Sequence, residues 1–280
     1  MKISFIVLTY NRTDALLLVL SSLASQCGTG HEVLIADDGS RPDQVRLLHE
    51  HCPSFLCPVR HVWHPDIGFT AAHARNLAAS HASGEYLVFL DGDCVPNKAF
   101  VAQHTRLAEA GCFVNGSRVL LSEQLTRQVL NGGLSLPTLP ATFWWRAWRS
   151  GDSNKVLHLF SWPWRVFRVK QNFEWRGIRS CNFALWQRDF ADVNGFDETF
   201  EGWGHEDADL VLRLHHLGRR RKNGFMATEV FHLAHRENKR DQESSNKNRV
   251  RQRIGTNLVL AERGLREIKP GSNVHITQLN

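Results

Sequence analysis

This chain has no long hydrophobic run. Its 280 residues contain no stretch of roughly 20 consecutive apolar residues, the length that a membrane-spanning helix needs. The apolar segment 3–8 is too short for the core of a signal peptide, and the polar Thr9-Tyr10-Asn11-Arg12 follows it at once. The sequence therefore predicts neither a membrane span nor a secretion signal.

Cysteine motifs are also missing. The six cysteines form no CxxC pair and have no regular spacing. We interpret them as reduced thiols, which predicts a cytoplasmic location.

Acidic residues are in the minority. Lys and Arg number 34 against 28 for Asp and Glu, which gives a formal net charge of +6. The excess is concentrated in the segments 219–222, 236–240 and 247–253. Such segments usually form solvated surface, but they also suit anionic partners such as phosphates or acidic lipids. The hydrophobic content of 42% is that of a globular protein.

Strand and helix signals alternate through the first ninety residues. Buried strands are predicted at 3–8, 32–36, 60–63 and 86–90. Helices are predicted after Thr13 or Asp14 and over 71–83. Strands separated by helices imply right-handed crossovers, so we predict an α/β fold with a mostly parallel sheet flanked by helices.

Polar residues gather where these strands end. Tyr10 and Asn11 follow the first strand, Asp37 and Asp38 the second, and Asp91-Gly92-Asp93 the fourth. Each cluster alone could be a turn. Ligands of open α/β sheets bind at the carboxyl edge of the strands, so three clusters there predict a binding site.

The Asp91-Gly92-Asp93 segment suggests a metal site. Two carboxylates this close repel each other unless a cation lies beside them. A divalent metal that keeps positions open for phosphate oxygens is the natural occupant. His235 is a candidate third ligand, with His232 the less favoured choice, and an imidazole ligand favours Mn²⁺ over Mg²⁺.

A second acidic motif lies at 200–210, where a loop turns into a helix. Glycines on both sides of Trp203 permit sharp bends, and apolar residues recur at helical spacing from 207. Glu206, Asp207 and Asp209 then fall in the first turn, where the helix dipole favours negative charge. Helix capping alone explains such acids. The Gly-Trp-Gly loop and the upstream acidic motif favour instead a sugar-binding site with a base.

Residues 97–176 have a different composition. The segments 143–149 and 157–170 are rich in Trp, Phe, Leu and Arg, and Pro163 argues against one straight helix across the second. Three interpretations stay open: a covering subdomain with a buried aromatic core, an interfacial surface for an anionic membrane, and an aromatic-lined acceptor channel. From about 241 the chain is polar, and we expect a loosely held tail.

Four segments together resemble successive motifs of family 2 glycosyltransferases, which have the GT-A fold; they are 6–12, 36–40, 74–76 and 84–93. The segment 182–210 resembles the C-terminal part of the β-1,4-galactosyltransferase family. The two resemblances cover residues 2–95 and 177–240, and 97–176 match neither. Leu8 and Cys94 depart from the common pattern without removing a catalytic group.

The resemblance implies a GT-A-type, Rossmann-like sheet with an aromatic and basic insertion and a C-terminal helical tail. One catalytic domain would span 1–240. It would consist of a nucleotide-sugar-binding part at 1–95, an insertion or acceptor region at 96–176, and a part with the acceptor site and base at 177–240. Residues 241–280 would form the tail.

The resemblance also implies roles for individual residues. Asp207 would be the catalytic base and Glu206 would hydrogen-bond the acceptor, while Asp93 and His235 would bind the metal. The donor site would comprise Thr9, Tyr10, Arg12, Asp38, Arg75, Asp91, Gly92 and Asp93. The acceptor site would comprise Asn182, Trp203, Gly204, Glu206 and Asp209.

The implied activity is inverting, metal-dependent transfer from a UDP-sugar to a hydroxyl of a glycan or lipid-linked oligosaccharide, with Mn²⁺ or Mg²⁺ as cofactor. Galactose, GalNAc, GlcNAc and glucose all fit as the donor sugar, and a deoxythymidine-linked sugar stays an alternative. The implied setting is bacterial lipopolysaccharide or capsule synthesis, with peripheral contact to anionic lipid at the cytosolic face of the inner membrane.

Two other classes of function stay open. A nucleotidyltransferase would not need the Gly-Trp-Gly loop, and it usually has a glycine-rich phosphate loop near its N-terminus, which is absent here. A nucleic-acid-binding module would need its Arg and Trp residues on one continuous surface, and it leaves the acids at the strand ends unexplained. We therefore expect no nucleic-acid partner.

Overall fold

The computed structural model describes residues 1–160, 166–174, 177–235, 242–269 and 273–280. The first strands are β1 (Ile3–Thr9), β2 (His31–Asp37), β3 (Val59–Trp63) and β4 (Tyr86–Asp91). The helices between them are α1 (Thr13–Ala24), α2 (Pro42–His51) and α3 (Ala71–Ser80). All four predicted strands and both predicted helices are confirmed, whereas α2 was not predicted.

The remaining elements follow in chain order. Up to residue 170 they are β5 (Cys94–Pro96), α4 (Phe100–Leu107), β6 (Cys112–Asn115), β7 (Ser117–Leu120), α5 (Glu123–Leu130), α6 (Ala141–Ser150) and β8 (Val169–Lys170). After it come β9 (Asn182–Trp186), α7 (Gln187–Asp192), α8 (Glu206–His216), β10 (Arg220–Asn223), β11 (Glu229–His232), α9 (Glu243–Ile254) and β12 (His275–Gln278).

The main sheet has the strand order β12-β3-β2-β1-β4-β9-β6-β10-β8. Its centre, from β3 to β4, is parallel, and β9 runs antiparallel between β4 and β6. A second sheet has the order β5-β11-β7. The predicted α/β fold with a mostly parallel central sheet flanked by helices is thereby confirmed.

Burial on both faces explains why β1 is apolar from Phe5 to Leu8. Phe5 and Val7 pack into a core on one face of the sheet together with Leu16 of α1, whereas Ile6 packs into the opposite core with Phe89. Strands covered by helices on both faces have nearly continuous apolar runs. The sheet is therefore a rigid base that fixes the loops at its carboxyl edge.

Residues 97–176 contribute strands to both sheets. They supply β6 to the main sheet and β7 to the second sheet, where β7 pairs with β11. The buried Trp144 of α6 stacks on Phe231 of β11, with ring centroids 4.6 Å apart and planes 8° from parallel. The buried-core interpretation is correct for Trp144, but Trp145 and Trp148 are 44% and 45% exposed.

The described part of the tail is packed rather than loosely held. Helix α9 lies against α8, and β12 pairs antiparallel with β3 at the edge of the main sheet. In the described part of the tail, an α-helix spans Glu243–Ile254 and a short 3-10 helix spans Leu265–Glu267. Among the described residues, no helix combines the length and the apolarity that crossing a membrane requires. All six cysteines are free thiols.

Candidate active site

The carboxyl ends of β1, β2 and β4 form the floor of the site. The backbone N–H of Asp38 donates to the carbonyl of Thr9 at 3.0 Å, and that of Gly92 donates to the carbonyl of Leu8 at 2.7 Å. A Cβ atom on Gly92 would lie 2.8 Å from the same Leu8 oxygen, so only glycine permits this approach. The tight contact fixes the two carboxylates of the D-x-D motif beside β1.

Asp38 and Tyr10 lie on the β1–β3 side of the site. The buried Asp38 accepts a hydrogen bond from the backbone N–H of Thr70 at 3.0 Å, and His64 Nε2 lies 3.2 Å from its Oδ1. Burial lowers the pKa of His64, but the carboxylate of Asp38 and the carbonyl of Pro65 more than offset this, and the net pKa is raised. Tyr10 is 49% exposed and donates to Asp66 at 2.9 Å. An open aromatic ring beside a fixed carboxylate suits a nucleoside.

Asp93, His232 and His235 converge in space. Pairing of β5 with β11 puts Cys94 opposite His232. His235 Nε2 lies 3.2 Å from Asp93 Oδ2, and His232 Nε2 lies 3.8 Å from Asp93 Oδ1. Burial lowers the pKa of His232, which favours the neutral imidazole that a metal requires. The less favoured His232 is thus placed beside Asp93 together with the predicted His235.

This donor set fits a divalent cation. One carboxylate oxygen and two imidazole nitrogens suit Mn²⁺ better than Mg²⁺. A thiol also lies nearby, because ligand atoms of Asp93, Cys94 and His232 are within 4.8 Å of one another. Burial raises the pKa of Cys94 well above its ordinary value, so the thiol stays protonated and is a poor ligand.

Arg75 joins the two acidic motifs. Its guanidinium is buried, with Nη2 2.9 Å from Asp91 Oδ1 and Nη1 3.4 Å from Glu206 Oε1. The same group lies over the ring of Phe196, 5.4 Å from the centroid. One cation therefore holds together two carboxylates that are far apart in the sequence, and the two motifs form one site.

Asp207 has the environment of a general base. Its carboxylate accepts hydrogen bonds from the backbone N–H groups of Ala208 at 2.7 Å and Ser180 at 3.2 Å. Burial and the negative charge of Glu206 raise the pKa of Asp207 to about 7, although the two N–H groups and Arg75 oppose the shift. A base with a pKa near the working pH is well matched to proton abstraction.

The Gly-Trp-Gly loop has left-handed backbone conformations and is hydrogen-bonded to helix α9. The two glycines that flank Trp203 have φ values of +68° and +104°, and His205 has a φ of +71° immediately before α8. A non-glycine residue in the left-handed region is typical of functional sites. Asn246 of α9 donates from Nδ2 to the carbonyls of Glu201 and Gly204, both at 3.0 Å. The tail helix therefore positions the half-buried Trp203.

Asn182 and Asp209 do not face the site, which corrects two acceptor predictions. Asp209 is fully buried, and its carboxylate lies 2.7 Å from Arg213 Nε and 2.5 Å from Arg253 Nη1. Asn182 is also buried, with Oδ1 3.1 Å from His104 Nε2. Both polar groups are engaged inside the protein, so they are structural residues rather than acceptor contacts.

All donor-site roles stay predictions, and the structure adds least to those of Thr9 and Arg12. Thr9 is buried at the end of β1, and only its backbone position at the edge of the sheet favours a donor contact. Arg12 is partly exposed at the start of α1, with Nε 3.0 Å from Asp14.

Sequence reasoning missed His64 and Asn246. His64 lies one residue beyond β3 and Asn246 lies in a polar helix, so neither belongs to a recognisable motif.

Comparisons with known proteins agree with this geometry. The model of glycosyl transferase family 2 matches residues 4–182, and a model described as the N-terminal domain of galactosyltransferase matches residues 165–236. The chain belongs to glycosyl transferase family 2, because the first match covers more than half of it. The match runs through 97–176, so the expectation that this segment resembles neither family was wrong. The membership favours glycosyl transfer over the nucleotidyltransferase and nucleic-acid-binding alternatives.

Relatives of this chain include synthases of glycans. Validoxylamine A glucosyltransferase of Streptomyces hygroscopicus subsp. jinggangensis is 30% identical over 233 residues, which cover 77% of this chain and 52% of the relative. Hyaluronan synthase of Pasteurella multocida is 28% identical over 228 residues, which cover 77% of this chain and 23% of the relative. This chain thus spans about half or less of these relatives.

Two solved structures share the fold. Residues 1–349 of TarS of S. aureus, in complex with UDP-GlcNAc, match with a TM-score of 0.58 at 15% identity, over 95% of this chain and 69% of that one. Mannosyltransferase PcManGT from Pyrobaculum calidifontis, in complex with GDP-Man and Mn²⁺, matches with a TM-score of 0.53 at 18% identity, over 84% and 58%. The predicted GT-A-type fold is confirmed.

Proposed function

We propose that this chain transfers a sugar from a UDP-sugar to a hydroxyl of a glycan or lipid-linked acceptor, with inversion at the anomeric carbon and with Mn²⁺ as the preferred metal. The main observation behind the proposal is that Arg75 contacts both acidic motifs. This buried guanidinium contacts Asp91 and Glu206, and it interacts electrostatically with the adjacent Asp207. A donor site and a base that lie beside one another are what a direct displacement requires.

The proton transfer follows from the surroundings of Asp207. Two backbone N–H groups orient the carboxylate, and its pKa of about 7 leaves about half of it deprotonated at neutral pH. Asp207 removes the proton of the acceptor hydroxyl as its oxygen attacks, and Glu206 accepts a hydrogen bond from another acceptor hydroxyl. Attack opposite the leaving nucleoside diphosphate converts an α-linked donor to a β-linked product.

Donor binding divides between two groups of residues. Tyr10 and Asp38 would hold the base and ribose, and Asp91 would face the ribose from the other side. Asp93, His232 and His235 would hold the metal, which neutralises the charge on the departing diphosphate when bound. The complexes of similar structures with UDP-GlcNAc and with GDP-Man and Mn²⁺ support a nucleotide-sugar donor and a divalent metal.

The names of the relatives support a glycan acceptor. They include a hyaluronan synthase, a chondroitin synthase of Escherichia coli and an O-antigen biosynthesis protein of Myxococcus xanthus. These names favour a role in bacterial surface polysaccharide synthesis. We further propose that the acceptor is met at an anionic membrane surface on the cytosolic side, because α6 presents two exposed tryptophans and two arginines outward.

A panel of nucleotide sugars tests the proposal directly. The protein is mixed with UDP-galactose, UDP-GalNAc, UDP-GlcNAc and UDP-glucose, with and without Mn²⁺, and its melting temperature and the slow release of UDP are measured. We expect one donor to stabilise the protein in a metal-dependent way, because a ligand that binds only the native state stabilises it by mass action. Asp93→Ala should abolish the part of this stabilisation that depends on Mn²⁺.

Glu123→Ala is the matched control, because this carboxylate is 83% exposed on α5 and lies outside the site. Unchanged donor affinity in Asp93→Ala with Mn²⁺ present would exclude the metal assignment. Absence of binding by every donor would exclude the proposed activity.

A further inference from the structure

Three cationic side chains gather beside the catalytic groups; Arg118, Lys155 and Arg179 are called the basic cluster here. Arg118 lies on β7 opposite Val230 of β11, Lys155 follows α6, and Arg179 precedes β9. Lys155 Nζ donates to Ser117 Oγ at 2.5 Å, which brings it next to β7. Each of the three side chains interacts electrostatically with the other two.

The basic cluster is short of counterions. Lys155 Nζ lies 3.9 Å from Glu229 Oε1. In the part of the chain that the structure describes, the guanidinium groups of Arg118 and Arg179 form no hydrogen bond or ion pair, and the Nε atom of Arg118 is buried without an acceptor. Burial and the neighbouring arginines lower the pKa of Lys155 despite Glu229. Arg179 also interacts electrostatically with Asp207, so the three cations share two carboxylates, and a bound oxyanion would supply the negative charge that they still lack.

The position of the cluster points to the acceptor side. Ser180, the neighbour of Arg179, donates its backbone N–H to Asp207 at 3.2 Å. Strand β9, which follows Arg179, lies on the opposite side of β4 from β1, β2 and β3, where Tyr10 and Asp38 are found. An acceptor hydroxyl that approaches Asp207 from this side passes the basic cluster.

We propose that the basic cluster binds an oxyanion of the acceptor, a carboxylate or a phosphate carried near the hydroxyl that is attacked. The inference rests on the proposed function and adds the substrate class: an anionic glycan acceptor. Arginine suits the task, since its planar fork binds carboxylate and phosphate through two parallel hydrogen bonds. The diphosphate of the donor also presents oxyanions to arginine. The test must therefore distinguish an oxyanion of the acceptor from the diphosphate of the donor.

Inorganic sulfate is the probe, because it presents oxyanion oxygens and leaves Mn²⁺ in solution. Sulfate is titrated into the protein at constant ionic strength, by calorimetry, without nucleotide and with saturating UDP and Mn²⁺. The variants are Arg118→Gln and Arg179→Gln. Arg188→Gln is the control, since its side chain is 88% exposed on α7.

We expect sulfate to bind equally well with and without UDP. The affinity for sulfate should fall about tenfold or more in Arg118→Gln and Arg179→Gln, because each loses a charge-assisted hydrogen bond. The affinity for UDP should stay within about twofold of the wild type, and Arg188→Gln should match the wild type in both.

Displacement of sulfate by UDP, or an equal loss of UDP affinity in the variants, would assign the cluster to the donor diphosphate and overturn the proposal. Unchanged sulfate affinity in both variants would show that the cluster binds no anion. Failure of UDP itself to bind would count against the proposed function, while the titration without nucleotide still tests the cluster.

Discussion

Asp207 combines properties that normally oppose each other. Its carboxylate is held by two backbone N–H groups, which favour the charged form, yet burial and Glu206 disfavour that form more strongly and raise the pKa to about 7. Arg75 limits the shift through its positive charge. A carboxyl group balanced in this way can exchange a proton near neutral pH, which an exposed aspartate cannot do.

This balance predicts a pH profile. We expect kcat/KM for transfer to rise about tenfold per pH unit below pH 7 and to level off above it, because only the deprotonated Asp207 accepts a proton. Asp207→Asn should lower turnover about 10²–10⁴-fold, the usual contribution of a general base, with unchanged affinity for UDP. Initial rates across pH 5–9 and calorimetry with UDP measure both effects.

The stability of the same variant provides a control. The pKa of Asp207 in the folded protein lies above the ordinary value of 3.8, so the folded state binds the extra proton and loses stability as the pH rises towards 7. Asp207→Asn removes this loss, and its melting temperature should exceed that of the wild type above pH 7 but not near pH 4. Asp192→Asn, on the surface, should show neither effect. Full turnover in Asp207→Asn would exclude its role as the base.

Short motifs made part of the site predictable. Asp93 and His235 were assigned from the resemblance, and the structure places them 3.2 Å apart, although their role as ligands stays a prediction. Asp209 was assigned wrongly because a helix turns by 100° per residue, and the position two residues beyond Asp207 faces the interior. Asn246 could not be predicted, because its contact depends on how α9 packs against the loop at 201–204.

Helix α6 has two different faces. Its inner face carries Trp144, which stacks on Phe231 next to His232, the candidate metal ligand. Its outer face carries Trp145 and Trp148, whose rings lie 5.7 Å apart, and the helix has two arginines and no acidic residue. Tryptophan and arginine favour the boundary between an apolar and a charged layer. These features favour the proposed contact of α6 with an anionic bilayer.

Vesicle sedimentation tests this surface. We expect the protein to sediment with vesicles that contain anionic lipid at low salt, and Trp145→Ala with Trp148→Ala to weaken the partition about tenfold or more, since each ring buries a large apolar area. Thr142→Ala, on the same helix, should have no effect. If the wild type does not bind the vesicles at low salt, or if the variant without both rings binds them as well as the wild type, α6 is not the membrane contact.

The elements were predictable to different degrees for a physical reason. Strands β1, β2 and β4 are buried on both faces, so their apolar runs identified them without knowledge of their neighbours. Strands β6 and β7 are only four residues long, and β7 has one buried residue, so their pairing with distant strands decides their structure. Local pattern carries little information about such elements.

The C-terminal part closes the molecule around its active site. Strand β12 pairs with β3 at one edge of the main sheet, and α9 holds the loop at 201–204 through Asn246. Polar composition suggested a loose tail because α9 has few apolar residues; its Val250 packs against Leu212 of α8, and ionic contacts add to this packing. Arg253 is central to them, with Nη1 2.8 Å from Asp197 Oδ2 and 2.5 Å from Asp209 Oδ1.

Loss of Arg253 should therefore destabilise the whole fold. The carboxylates of Asp197 and Asp209 are fully buried, and Arg253→Met would leave them with too little positive charge. Removing one partner of a buried ion pair costs about 3–5 kcal/mol, so we expect a loss of this size in the free energy of unfolding. Arg251→Met, exposed on the same helix, should leave it unchanged. Denaturation in urea at pH 7 measures both, and equal stability of the two variants would show that the ion pairs of Arg253 do not stabilise the fold.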